Sequence, residues 1–555
     1  MEQWQPIIIL AAVILVFFLL GLAERRRFLA RVKQELRERY GHLQERRISP
    51  SRMECVPAYF RKHAGDASID DITWSDLEMD RLFTAMNLTY SSAGEEVLYH
   101  TLRTPLYEED ALKERDAQIR YFMEHDADRE ALQMLFAGMG KNERYSLYDY
   151  LDFADMLEGE AGLKYHFLAP LLLAAAVFLL FLKTEIGIVA LIVPVVVNIF
   201  WYFKTKEKVQ PYIVTLKLVM GDLKAGRAVL KKELTACGAI KEQLKTALAE
   251  MKHFTNGAGF LFYTDASNGD PAGLVADYIN MVLHIDMIVF YYLYRQMQAH
   301  REAIDRVHTS LGYLEMLIAA GSFQAALDAH CRPVFDGVEA AAEIYHPLIE
   351  APVKNSYRLK GCMLLTGSNA SGKSTFLKTL ALNQLLAQTL YMACAEEFHT
   401  DFHRIYTSMA LRDDLAHQES YFMVEIRAMQ RILNAGQKKG ARIACCVDEV
   451  LRGTNTVERI AASAEILKHM AAAGYFCAAA THDIELTALL EDCYENFHFT
   501  EEIRDGDVIF SYKLLQGKAT TRNAIRLLSV MGYQEGLVQS AEALAEHFLQ
   551  AGQWQ

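Results

Sequence analysis

Residues Leu364 to Leu380 read LLTGSNASGKSTFLKTL, an apolar strand end, a glycine-framed loop and the start of a helix. Gly367, Ser368, Asn369, Ala370, Ser371, Gly372, Lys373 and Ser374 fit the pattern G-x-x-x-x-G-K-[ST], and the flanking strand and helix supply the context that the pattern requires. The glycines let backbone N–H groups converge on phosphate oxygens, and the helix N-terminus adds partial positive charge. The loop, through Thr375, therefore reads as a cradle for ATP with Mg²⁺. Lys373 would reach the β- and γ-phosphates and Ser374 would ligate the metal.

Two further strand ends extend the site. The apolar run Ile443 to Val447 ends in Asp448 and Glu449. An Asp at the end of a buried strand can hold a Mg²⁺ shell, and the adjacent Glu can orient or deprotonate water. In isolation two such carboxylates are as often a polar strand cap; beside the loop they read as catalytic. The run Tyr475 to Ala480 ends in Thr481, His482 and Asp483, and His482 is placed to contact a γ-phosphate. These short apolar runs alternate with helical patterns from Arg358 onward, which predicts a mostly parallel sheet with helices on both faces.

The chain has 555 residues and a formal net charge of −13, which argues against non-specific coating of nucleic acid but leaves room for a local basic groove. Its nine cysteines show no zinc spacing and no disulfide framework, which predicts a reducing compartment.

Pro6 to Ala23 carries no charge and precedes Glu24 and Arg25 to Arg27, so it reads as an uncleaved anchor with its basic side in the cytosol. Phe167 to Leu182 and Ile186 to Phe203, separated by Lys183, Thr184 and Glu185, read as a hairpin of two further spans, followed by Lys204, Lys206 and Lys208. The expected protein is a multi-pass cell-membrane protein, in contact with the bilayer through three spans, with its other parts in the cytoplasm. The bland alternative for the hairpin is a pair of buried core helices. Apolar residues at steps of three or four from Leu216 to Met251 predict one long amphipathic helix, and a second helical stretch is expected from about Val275 to Leu327. The turn-like stretches Asn256 to Phe260 and Ser267 to Gly273 separate them.

The expected fold class is α plus α/β. The predicted order is an anchor (1–23), a cytosolic segment (24–165), the hairpin (166–203), a helical core with lever (204–345) and a P-loop ATPase domain (346–555).

Spans and P-loop together suggest an ABC transporter, but no LSGGQ-type signature stands between the loop and Asp448. Leu411 to Met429, LRDDLAHQESYFMVEIRAM, instead resembles the MutS family, whose members carry a DDLA…S-x-F-M-V-E segment there. DEVLRGTNT at Asp448 to Thr456 is similar to the family's DEIGRGTST, and ATHDIELT at Ala480 to Thr487 to its ATHYFELT. LRTPLYEEDALKERDAQIRYF from Leu102 and LGYLEMLIAAGSF from Leu311 are similar to its helical core. The resemblance implies a homodimer with two composite ATP sites, in which Ser420 and the loop Arg452 to Thr456 face the partner's nucleotide and Glu449 is the base. It also implies DNA as a partner. Nothing before residue 70 resembles the family's mismatch-reading domain, and the Phe122-Met123-Glu124 triplet, similar to a mismatch reader, falls in a core helix. Two functions follow: a membrane-anchored ATPase that clamps DNA, or an ATP-driven membrane switch that binds a protein partner.

Overall fold

The computed structural model describes residues 23–551, apart from 25, 46–47, 143–144, 154–160, 253, 255–277, 369–370, 410–420, 438–441, 453, 505–506 and all but 525 and 528 of 520–531. The predicted anchor, but for Ala23, and the turn-like stretches at 256–260 and 267–273 lie outside the described residues. In chain order the helices used below are α1 (Asp71–Asp76), α2 (Ala161–Leu182), α3 (Thr184–Leu230), α4 (Gly238–Glu250), α5 (Ile285–Ala299), α6 (Arg301–Ala326), α7 (Lys373–Leu390), α8 (Tyr421–Gly436) and α9 (Thr456–Ala472). The chain divides into two compact units: residues 1–64, 86–100 and 117–325, and residues 65–85, 101–116 and 326–555. The second unit thus combines residues 326–555 with two stretches from far upstream.

The first unit is helical. Helices α2 and α3 form the expected hairpin; a side chain at Gly187 would put Cβ 2.3 Å from Leu180 Cα, so the close crossing requires glycine. Lys164–Leu182 and Thr184–Val209 are long and apolar enough to cross a membrane, and 17% of the most apolar stretch of each is buried within the protein. A buried core pair would hide most of its side chains; these expose Phe178, Phe181, Val196 and Phe200.

The helix expected over Leu216 to Met251 is two. Helix α3 stops at Leu230, a 3₁₀ turn covers Thr235–Cys237, and α4 runs back from Gly238. Leu244 and Leu248 reach Gly226, where an added Cβ would lie 3.1 and 3.2 Å from their methyls. One apolar stripe serves a straight rod or a rod folded on itself, so spacing alone does not separate the two. The stretch expected from Val275 to Leu327 is likewise interrupted, at His284, whose φ is 55°, and at His300, between α5 and α6.

Charge is also buried here. Arg52 donates to Glu95 (2.6 Å) and Glu96 (3.2 Å), and Lys141 donates to Glu95 (2.7 Å). His308 lies 2.7 Å from Asp222. Burial alone would lower the His308 pKa, but the Asp222 and Glu96 carboxylates outweigh it and raise it to about 10. Phe122 is fully buried, as a core residue rather than a probe of DNA.

The second unit is built on a six-stranded sheet of order β10-β9-β4-β8-β7-β6. Its strands are β4 (Cys362–Thr366), β6 (Arg404–Ser408), β7 (Ile443–Asp448), β8 (Phe476–Thr481), β9 (Tyr494–Arg504) and β10 (Asp507–Gln516), parallel except for β10. A second sheet, of order β1-β5-β2-β3, comprises Val334–Phe335, Glu397–Thr400, Glu339–Ile344 and Asn355–Leu359. Leu364, Cys445, Val447 and Cys477 meet Ile432 of α8 and Leu467 and Met470 of α9 in one buried cluster, in which each Leu, Ile, Val or Met is worth roughly 1.5–3 kcal/mol of transfer. Alternate strand residues face the other way, toward α7. Both sides of β4, β7 and β8 are therefore covered, which is why they read as unbroken apolar runs. All nine cysteines are free.

Candidate functional site

The parallel register sets the site. Thr366 of β4 pairs with Thr481 of β8, and Ala480 of β8 with Asp448 of β7. The three strands end level, so Gly367, Asp448 and Glu449, and His482 all emerge at one edge, where ligands bind in open α/β sheets.

The loop after β4 turns through two left-handed glycines, Gly367 (φ 149°) and Gly372 (φ 104°). A Cβ on Gly367 would lie 2.9 Å from Ser371 Oγ and 3.0 Å from the Phe499 carbonyl oxygen. Lys373 opens α7 and donates its Nζ to the carbonyls of Gly367 and Ser368, both at 2.8 Å. Its pKa is lowered by burial, against the pull of Asp448 and Glu449. Ser368 donates to Glu501 (2.9 Å), and the buried Ser371 Oγ has no hydrogen-bond partner among the described residues.

Ser374 Oγ donates to the Asp448 carboxylate. A hydroxyl and a buried carboxylate side by side are the hard oxygen donors that suit Mg²⁺, and the orphaned Ser371 hydroxyl is a ready contact for a phosphate oxygen. Beyond Asp448 the chain turns sharply: Glu449 and Leu451 both have φ of 58°, a conformation costly for non-glycine residues and concentrated at functional sites. Glu449 N–H donates to the Ala480 carbonyl (2.9 Å), and its side chain is gripped by His482 Nε2 (2.8 Å) and Arg452 Nε (2.6 Å). Burial pushes the Glu449 pKa up, but the His482 hydrogen bond and the Arg452 charge hold it below the ordinary glutamate range.

These groups line a cavity of about 770 Å³ that contains Ser368, Gly372, Lys373, Ser374, Thr375, Asp448, Glu449, Arg452 and His482. The same cavity is also lined by the apolar and aromatic side chains of Ile344, Ile349, Pro352, Val353 and Tyr512, and by His346. Asn369, Ala370 and Ser420 lie outside the described residues. Arg452, which the resemblance places in a loop facing a second copy, pairs with Glu449 (2.6 Å) and lies 3.9 Å from Asp448.

Tyr512 carries no sequence signal beyond an aromatic in a strand. It sits at an irregularity in the β9–β10 pairing with φ 51°, its carbonyl accepts from Asn355 Nδ2 (3.0 Å), and its ring edge would be 3.1 Å from a Cβ on Gly372.

Fold and site together define a P-loop nucleotide-binding domain with an acidic strand end. Residues 363–549 match the family model described as MutS domain V. The chain is 30% identical over 261 residues to the DNA mismatch repair protein MutS of Thermus thermophilus, covering 46% of this chain and 32% of that one. It is 32% identical over 257 residues to the same-named protein of Thermus aquaticus (45% and 31%). It is 28% identical over 310 residues to MutS protein homolog 4 of Mus musculus (52% and 31%). Residues 363–549 are thus similar to MutS domain V, and the chain spans 31–32% of the length of these relatives.

Proposed function

We propose that the chain is an ATPase that binds Mg-ATP in the cavity beside Lys373 and couples its hydrolysis to the clamping of DNA at a membrane. The observation that carries this is the position of Glu449: ionised, held between His482 and Arg452, and facing the cavity that Lys373, Ser374 and Asp448 share.

The loop amides and Lys373 bind the phosphates, and the apolar and aromatic part of the lining takes the base. Ser374 and Asp448 would hold Mg²⁺, which would supply charge neutralisation to the phosphates. Glu449 accepts a proton from the attacking water, and His482 fixes the carboxylate that does so. Ser420 and the loop through Thr456 complete the site of a second copy, so that hydrolysis reports dimerisation.

The DNA part draws on the relatives whose names carry DNA mismatch repair, and the membrane part on the two apolar helices and the lysines after them. Gel-shift titrations of the full chain with duplex, mismatched and branched DNA, with and without ATP, test it. Salt-sensitive binding to at least one form is expected; binding to none, with a protein recovered by cross-linking in cells, would replace DNA with a protein partner. Loss of phosphate release in Glu449→Gln is expected, and unchanged release would move the base elsewhere.

A further inference from the structure

Strand β6 is the edge of the six-stranded sheet and would otherwise present unpaired backbone groups. Helix α1 lies along it, more than 300 residues away in sequence. Asp70, Thr73 and Asp76 recur every three residues and so share one face. Asp76 Oδ2 accepts from Thr407 Oγ1 (2.7 Å) and from the Met409 N–H (3.0 Å). Thr73 Oγ1 accepts from the Thr407 N–H (3.3 Å). Asp70 caps α1 by accepting from Thr73 N–H (2.8 Å) and pairs with Arg431, which also donates to the Thr407 carbonyl. Thr407 is thus held through its N–H, its hydroxyl and its carbonyl. Thr73, Asp76 and Thr407 are all but inaccessible to water.

Met409, the residue that Asp76 grips, lines the nucleotide cavity. A second tie runs from just beyond the same helix: Glu78 accepts from Lys378 Nζ (2.6 Å) on α7, the helix that the phosphate loop opens.

We propose that Asp76 is a positioning residue of the ATP site. By fixing Met409 and the end of β6 it sets one wall of the cavity. The assignment rests on the ATPase reading above.

The test is steady-state ATP hydrolysis by the full chain in nanodiscs, with ATP affinity from a fluorescent analogue and amide exchange over the 404–409 peptide. Asp76→Ala is expected to lower kcat by about 10- to 100-fold, since a misplaced wall of roughly 1 Å costs that much. ATP affinity should stay within about threefold, roughly 0.6 kcal/mol, and Met409 should exchange faster. Asp76→Asn keeps one acceptor oxygen and should recover part of the loss. Thr73→Val removes one hydroxyl and should show the same split, more weakly, even where Asp76→Ala fails to fold. Folded variants with unchanged kcat overturn the assignment, as does a loss of kcat matched by an equal loss of affinity and a lower Tm. A wild-type chain that binds no ATP overturns the ATPase reading instead, which keeps the two failures apart.

Discussion

The two units hold nearly the same set of charges and use them in opposite ways. In the helical unit Arg52 meets the neighbouring acids Glu95 and Glu96, with Lys141 and His308 beside them. In the nucleotide unit Arg452 meets the neighbouring acids Asp448 and Glu449, with Lys373 and His482 beside them. The first set is sealed: Arg52, Glu95, Glu96 and His308 are each less than a tenth exposed. The second opens on a cavity of about 770 Å³. What separates a structural ion cluster from a site is therefore space for a ligand and backbone strain, at Glu449 and Leu451, that aims the groups into it.

Breaking each cluster should fail in a different way. Arg52→Ala leaves the two buried carboxylates with only Lys141 and His308 beside them and is expected to destabilise the protein by about 3–5 kcal/mol, read from a denaturant midpoint, with hydrolysis per folded molecule intact. Glu449→Gln should lower hydrolysis by at least about 100-fold while ATP still binds and the midpoint holds. Lys373→Ala should lose the binding as well. Gly312→Ala sharpens the contrast within the helical unit: its Cβ would lie 2.4 Å from the Ala93 carbonyl oxygen, and a backbone neighbour cannot swing aside. The expected cost is about 1–3 kcal/mol, with no change in kcat.

The smallest effect is in pH. His308 has its folded pKa raised to about 10, so its contribution is complete below its unfolded value and is lost as pH rises toward 10. Glu449, lowered, contributes above the ordinary glutamate range and loses that contribution as pH falls through it. Thermal unfolding from pH 7 to 9 should show stability falling by no more than about 1.4 kcal/mol per pH unit from His308, a slope that His308→Gln flattens. The acid side should flatten in Glu449→Gln.

The site was legible because each part of it is short and contiguous. Gly367 to Thr375, Asp448 with Glu449, and His482 each follow a buried strand directly, so pattern and position coincide, and the parallel register brings them level. Tyr512 was hidden because its role depends on a local left-handed turn that no neighbouring residue announces. Among the helices, the two apolar helices of the hairpin were plain from length and lack of charge, whereas the fold-back after Leu230 was not, because an apolar stripe that meets itself looks like one that meets a partner. The membership of residues 65–85 in the nucleotide unit was least visible of all: Asp70, Thr73 and Asp76 look like the polar face of any short helix until β6 is set against them.

That pairing fixes an order of events during synthesis. Thr73 and Thr407 are 334 residues apart. At ribosomal rates of about 5–20 residues per second, α1 waits roughly 17–70 s for the strand that it covers. Throughout that interval the two-helix hairpin is made and placed, while the acidic face of α1 has nothing to hold. The nucleotide unit is consequently among the last parts of the chain to be completed, and a fragment that starts after residue 85 would emerge with the β6 edge bare, open to pairing with a strand from another molecule.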